Sequence, residues 1–309
     1  MDVISNILGA IKLNAHVFMH SDFYGFWAID TSGTNKATFH MISRGAAWLH
    51  LPDEKEPLAL YCGDLVVFPN DAPHCISSAV EPPTINMINN QPGDMTLGGS
   101  PTGLVCGYFE FERHSWNPLL NSLPDVMVIK GEEVSKTALM STVIECIVFE
   151  VESQYEGRNA MIDKLSEVLF IHIIRNHIQS GVSRGSYLGA LADKQISVAL
   201  TCIHEQPGNS WSVEMLAQKT GMSRSMFSNK FHQLVQMTPM QYVACWRMQR
   251  AHEQFTNTNK SVAQVAESFG YQAESSFSKA FKKHFGYGPG VARKKYPTNI
   301  YFWPPISRT

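Results

Sequence analysis

The sequence predicts a multidomain protein: a small N-terminal β-barrel, a helical segment after it, and an all-α C-terminal domain with two helix-turn-helix motifs. Three observations predict this. Short apolar or alternating runs broken by Gly, Pro and Asp fill residues 18–111. Apolar periodicity of helical length replaces them after Pro124, and between Trp211 and Pro289 one pattern is written twice. The 309 residues allow about two domains at about 100–200 residues each.

In the first part the candidate strands are residues 24–29, 37–43, 46–51, 65–68, 74–78 and 104–111, with turns at Thr31-Ser32-Gly33, Pro52-Asp53 and Pro69-Asn70-Asp71. Many short strands at this spacing argue for a β-sandwich or small barrel. Residues 81–103, rich in Pro, Gly and Asn, read as a long loop over one end. Helices are expected over 135–154 and 159–179. In the second, Met161, Ile162, Leu165, Val168, Leu169, His172 and Ile173 form one face, widened by Phe170, Ile171 and Ile174. A face that wide predicts a self-associating helix pair, with an internal hairpin packed on the barrel as the alternative. The glycine- and serine-rich stretch that follows reads as a linker.

A further helix over 193–205, with Ile196, Ala199, Leu200 and Ile203 inward, precedes the repeat. In the first copy Ser212 caps a helix with Val213, Leu216 and Ala217 on its apolar face. Gly221 then supplies a turn needing positive φ, and a second helix buries Met226, Phe227 and Phe231. The second copy opens with the capping box Ser261-x-x-Gln264, turns at Gly270 and buries Phe277 and Phe281. Apolar helix, glycine turn and aromatic-faced helix is the helix-turn-helix pattern, whose second helix enters the DNA major groove. Between the copies, Thr238-Pro239-Met240-Gln241 is a second capping box, with proline at the first helical position. The helix it opens, residues 239–255, spans about 24 Å and sets a fixed half-site spacing, naturally one DNA turn of about 34 Å.

Charge agrees with this division. Residues 191–309 hold 14 Lys and Arg against 6 Asp and Glu, a balance of +8. That leaves 11 of the 25 basic and 21 of the 27 acidic side chains in residues 1–190, a balance of −10. Only the C-terminal part is suited to phosphates. The 6 cysteines form no CxxC pair, which points to a reducing cytoplasm. No run approaches the roughly 18 apolar residues of a membrane span, so a soluble intracellular protein is expected.

With both copies, the Thr-Pro-opened helix, Trp246-Arg247-Met248 and the closing Phe281-x4-Gly286-Tyr287-Gly288-Pro289, residues 193–289 closely resemble the AraC/XylS family of bacterial transcription regulators. Upstream, Phe23-Tyr24-Gly25, Leu104-Val105-Cys106-Gly107 and Gly63-Asp64-Leu65-Val66-Val67-Phe68-Pro69-x4-His74 resemble the cupin sensor domain of one branch of that family. The resemblance implies a cupin-like effector domain over 1–124, a helical dimerisation segment over 125–180 and a flexible linker over 181–192. It implies a DNA-binding domain over 193–295, with helix-turn-helix units at 212–235 and 261–285.

Carried over by position, the base-reading residues are Arg224, Ser225, Ser228 and Asn229 in the first unit and Glu274, Ser275, Ser278 and Lys279 in the second. Lys230, Lys282 and Lys283 are expected on phosphates. The family usually has arginine where this chain has Asn229 and Lys279, so a guanine-rich target does not transfer. The expected partners are double-stranded DNA, a small-molecule effector, a second copy through 135–179 and, for an activator, RNA polymerase. The expected target is an asymmetric site about two turns long per chain.

Candidate chemistry in the first half rests on His40, His74 and Cys106, each on a predicted strand or strand edge. Imidazole plus thiolate suits zinc or another divalent metal, with His50 and Cys75 as alternates under a one-residue register shift. The competing reading is hydrogen-bonded core or pocket residues, since no His-x-His is present and the first cupin metal motif is not recognisable around His40. Phe23, Tyr24, Trp27 and Trp48 are the candidate effector-pocket aromatics, or else core. The rival functions are a cupin-type metal-dependent enzyme fused to a helical domain, for which no two-His-one-carboxylate set can be assembled, and a protein-interaction scaffold.

Overall fold

The computed structural model describes residues 3–11, 13–84, 88, 100–111, 118–132, 138–179 and 186–293. The chain divides into two compact units. One comprises residues 13–111 and 123–176, the other residues 1–12, 112–122 and 177–309.

The first unit carries β1 (Asn14–Phe23), β2 (Ala28–Ile29), β3 (Ala37–Arg44), β4 (Ala46–His50), β5 (Leu58–Tyr61), β6 (Leu65–Phe68), β7 (Cys75–Ser77), β8 (Thr102–Glu110) and β9 (Met127–Ile129). A five-stranded sheet runs β1-β8-β3-β6-β9 and a four-stranded sheet β2-β7-β4-β5, with antiparallel pairing. Phe23, Ile42, Val66, Phe68 and Leu104 of the larger sheet meet Ile29, Leu49, Leu60 and Ile76 of the smaller one in a single apolar core. Residues 40, 42, 66, 68, 104 and 106 therefore face inward by strand alternation. The opposite face of the larger sheet is covered as well: Phe109 packs on Phe170 of a helix at 4.8 Å between ring centroids. This double cover explains why β6 is buried at every position and β3 at most.

The structure departs from the sequence reading where strands are short or mixed in polarity. Residues 24–29 shrink to β2, because Gly25 at φ 63° breaks the chain direction. The reading omits most of β1, whose half-buried face alternates poorly, and β5 and β9, which are only 4 and 3 residues long. Residues 85–87 and 89–99 of the expected loop lie outside the described residues. Helices α3 (Ala138–Glu152) and α4 (Arg158–Gln179) follow the expected positions; α1 (Val3–Ile11) and α2 (Pro118–Asn121) were not anticipated.

The second unit is helical: α5 (Tyr187–Ala192), α6 (Ile196–Glu205), α7 (Val213–Lys219), α8 (Arg224–Val235), α9 (Pro239–Asn257), α10 (Val262–Ser268), α11 (Glu274–Phe285) and α12 (Pro289–Ala292). Helix α1 also belongs to it, packing near α6 and α9 with Val3 and Ile7 buried. Residues 187–192 of the expected linker are helical, with Tyr187, Leu188 and Ala190 buried. Glycine content there masks three apolar side chains that find a core. Residues 181–185 lie outside the described ones, as does the aromatic stretch 296–303.

Candidate nucleic-acid interface

Each helix-turn-helix is built by local chemistry. The Ser212 and Ser223 side chains accept from the amides of Met215 and Met226, capping α7 and α8; Ser261 with Gln264 closes a capping box on α10. Gly221 and Gly270 sit at φ 67° and 78° between the paired helices, the left-handed region that favours glycine. Below them Phe227 and Phe231, and in the second unit Phe277 and Phe281, are fully buried. Met226, expected inside, is 60 % exposed: the α8 face that packs is filled by the two phenylalanines, Leu234 and Val235.

The opposite faces carry the residues singled out in the sequence. Arg224, Ser225 and Asn229 are exposed on α8 and Ser228 half-buried; Glu274, Ser275 and Lys279 are exposed on α11, with Ser278 half-buried. The two faces differ in charge. On the first, Arg224 Nε meets Glu214 Oε1 of α7 at 2.8 Å. At the matching positions of the second stand Ala263 and Glu274, so the arginine is replaced by a carboxylate. Helix α11 has no side-chain cap at Ala273, and Glu274 in its first turn offsets this by opposing the positive end of the helix dipole. Lys282 and Lys283 are exposed in the last turn. Lys230 is held instead at 2.7 Å from Asp193 and 3.2 Å from Gln195, a tether with no local sequence signal.

The two units are joined by α9, whose 19 residues span about 28 Å. Thr238 and Gln241 form its capping box. Arg247 on α9 donates from Nε to the Pro207 carbonyl and from Nη2 to the Asn209 carbonyl, both at 2.7 Å. Gly208, between those carbonyls, packs against Gly270 so closely that a Cβ on Gly270 would lie 2.5 Å from the Gly208 oxygen. Gly221, the counterpart in the first unit, has nothing within 4 Å of such a Cβ.

A family model described as a helix-turn-helix domain matches residues 216–295, and one described as a cupin matches residues 2–179. The HTH-type transcriptional regulator AlkR of Acinetobacter baylyi is 30 % identical over 96 % of this chain and 100 % of its own length. The chain belongs to the AraC-like family of transcription regulators. An AraC-like transcription regulator of Streptomyces antibioticus is 29 % identical over 95 % of this chain and 99 % of its own. Among solved structures, the DNA-binding domain of AdpA in complex with a target DNA is similar over 34 % of this chain and 94 % of that one, at 24 % identity and a TM-score of 0.32. As an AraC-like regulator the protein binds DNA, and the rival reading of a metal-dependent cupin enzyme gains no support from these relatives, which are named as regulators and match along nearly their whole length. No described helix is long and apolar enough to cross a membrane.

In the N-terminal unit of this AraC-like regulator, His40, His74 and Cys106 do meet, but in a chain rather than around a point. Cys106 Sγ lies 3.0 Å from His40 Nδ1, on the opposite ring edge from His74 Nε2, which is 3.1 Å from His40 Nε2. His74 Nδ1 lies 2.8 Å from the Ala72 carbonyl and so carries the proton. Its Nε2 then accepts, from His40 Nε2–H or the Thr31 hydroxyl 3.1 Å away, and His40 Nδ1 accepts from the Cys106 thiol. Every donor is used with all three groups neutral. Burial enforces this, holding His40 well below and His74 below the usual imidazole range and pushing the Cys106 thiol up. Among the described residues no three His, Cys, Asp or Glu groups converge on a metal position, so the zinc set is not assembled.

His50 lies outside this chain, 2.9 Å from the Ser77 hydroxyl, and Cys75 is half-buried beside it in the register. Phe23 and Trp27 pack tilted against each other within the apolar core, their ring centroids 4.8 Å apart, while Tyr24 and Trp48 are half-buried. A cavity of about 1030 Å³ opens elsewhere in the unit, lined by the end of β3, the 61–64 turn, residues 130–132 and one face of α3. Of its lining the sequence motifs include Gly63 and Asp64, and nothing in the sequence marks them as part of a pocket.

Proposed function

We propose that this AraC-like regulator reads an asymmetric DNA site, inserting α8 and α11 into successive major grooves. The observation that carries the proposal is the opposition of faces on both helices. Arg224, Ser225, Ser228 and Asn229, then Glu274, Ser275, Ser278 and Lys279, face away from the phenylalanines that anchor each helix. Asn229 suits adenine edges, Glu274 the cytosine amine, and Lys282 and Lys283 the phosphates. Lys230 joins the phosphate contacts only by leaving Asp193.

The N-terminal unit serves as the effector domain, acting without catalysis of its own, and the protein is an activator that contacts RNA polymerase. A ligand controls it by binding two arrangements of the chain with different affinity. Self-association through 135–179 is supported by Met161, Val168 and Leu139, which are 51, 39 and 56 % exposed on α4 and α3.

The test is selection of bound fragments from a random DNA pool by the purified protein at fixed salt. The expected result is one enriched site, about two turns long, whose halves differ in sequence. Enrichment of nothing above competitor DNA would overturn the reading.

A further inference from the structure

We propose that the cavity between the β-barrel and α3 binds an amphipathic organic cation: an alkyl or aryl group ending in a quaternary or protonated amine. The proposal rests on reading the N-terminal unit as the ligand-binding half, and it adds the place and the chemistry.

The cavity, at about 1030 Å³, is at the upper end of the roughly 300–1,000 Å³ of small-molecule sites. One wall is a single face of α3, where Ser141, Ile144, Glu145, Val148, Phe149 and Glu152 recur every three or four residues. Met140, Val143 and Ile147 point away from it and are buried. The barrel wall adds Met41, Ile42 and Tyr61. The lining is therefore apolar, with carboxylates at intervals.

Two independent features select a cation. The first is an excess of carboxylates over ion-pair partners among the described residues. Lys130, the lysine in the lining, is neutralised by Asp64 Oδ2 at 2.9 Å and also donates to the Ala59 carbonyl. Asp64 is itself saturated by the Tyr61 and Gly131 amides. Glu132, Glu145 and Glu152 also line the cavity, and no described residue forms an ion pair with them. Arg44 and Arg158, which act with Glu152 on His20, are engaged by Asp22 and by the Ser153 carbonyl. The second feature is aromatic: Tyr61 and Phe149 line the cavity while each is 59 % exposed, Phe149 also meeting Tyr155 at 6.3 Å between ring centroids, and such rings suit an ammonium group. An anionic amphiphile would meet three carboxylates that no described residue pairs in a salt bridge, and a neutral one would use neither feature.

The experiment is equilibrium dialysis of the full-length protein against decyltrimethylammonium, decanoate and decyl maltoside, each below its micelle concentration. The cation should bind at least tenfold tighter than the other two. Glu145→Gln with Glu152→Gln should weaken it at least tenfold, while circular dichroism and affinity for the selected DNA stay unchanged. Equal or tighter binding of decanoate or the maltoside, or unchanged cation affinity in the double variant, would overturn the proposal. So would absence of binding, including through a second copy seated on α3 and seen by sedimentation. If the cation binds here yet leaves DNA affinity untouched, this site stands and the effector-response reading falls.

Discussion

His204 illustrates what a single side chain can contribute. Its Nε2 lies 2.6 Å from the Tyr242 hydroxyl, which lies 2.6 Å from the Tyr187 hydroxyl, and its ring stacks on Trp246 at 3.8 Å. With the proton on Nε2, donation runs outward from His204, and the buried, unpartnered Nδ1 is a bare lone pair. Protonating that nitrogen would bury a charge without a partner. Desolvation, helped by the Arg250 charge, holds the histidine down at about 3. The folded state therefore takes up its proton later than the unfolded chain, and stability falls as pH drops through the interval from about 6.5 to about 3. Between pH 7 and 5 the loss should be about 2 kcal/mol. Urea unfolding followed by helix circular dichroism checks this: His204→Gln should remove about that much of the pH dependence. At this scale the sequence revealed what acts locally. Ser212, Ser261 and Thr238 were legible as caps because a cap is defined within four residues. The links from Lys230 to Asp193 and from Arg247 to Pro207 span 37 and 40 residues and leave no spacing to read.

At the scale of elements, the repeated helix-turn-helix units share a pattern but not a mechanical role. Both glycine turns hold positive φ, so alanine at either should cost about 1–2 kcal/mol from backbone conformation. At Gly270 the added methyl also meets the Gly208 carbonyl, which is backbone and cannot swing aside. Gly270→Ala should therefore destabilise the helical unit clearly more than Gly221→Ala, read as the shift in urea midpoint at unchanged slope; equal shifts would refute the packing role. The helices were legible because amphipathic periodicity persists over many residues. The short strands β5 and β9 were not, since three or four residues cannot establish a period of two; α1 takes its burial from helices distant in sequence, and α5, only 6 residues long, packs on both the next helix and the distant α8.

For the molecule as a whole, the charge division gives a quantitative expectation. Four cations stand exposed on or beside the recognition faces, Arg224, Lys279, Lys282 and Lys283. If each displaces one counterion, log K for DNA should fall with log salt at a slope of about −3.6 per chain. Lys282→Gln with Lys283→Gln should flatten the slope by about 2 on every DNA sequence; a loss confined to one sequence would make them base readers instead. The helix-turn-helix fold of the second half and the DNA-binding role were legible from the repeat and the charge asymmetry. The cavity wall was not, because its residues come from β3, the 61–64 turn, 130–132 and α3, and only the fold brings them together.

The contact of Gly208 with Gly270, braced by Arg247, has a further consequence. If α8 and α11 read DNA as proposed, helices held together this closely would follow a duplex over- or underwound between them only at a cost. Each base pair turns the second groove by about 35° relative to the first. On the proposed reading of DNA by α8 and α11, so closely packed a joint makes binding respond to twist as well as sequence, and the grip on a given site should depend on the superhelical tension of the DNA carrying it.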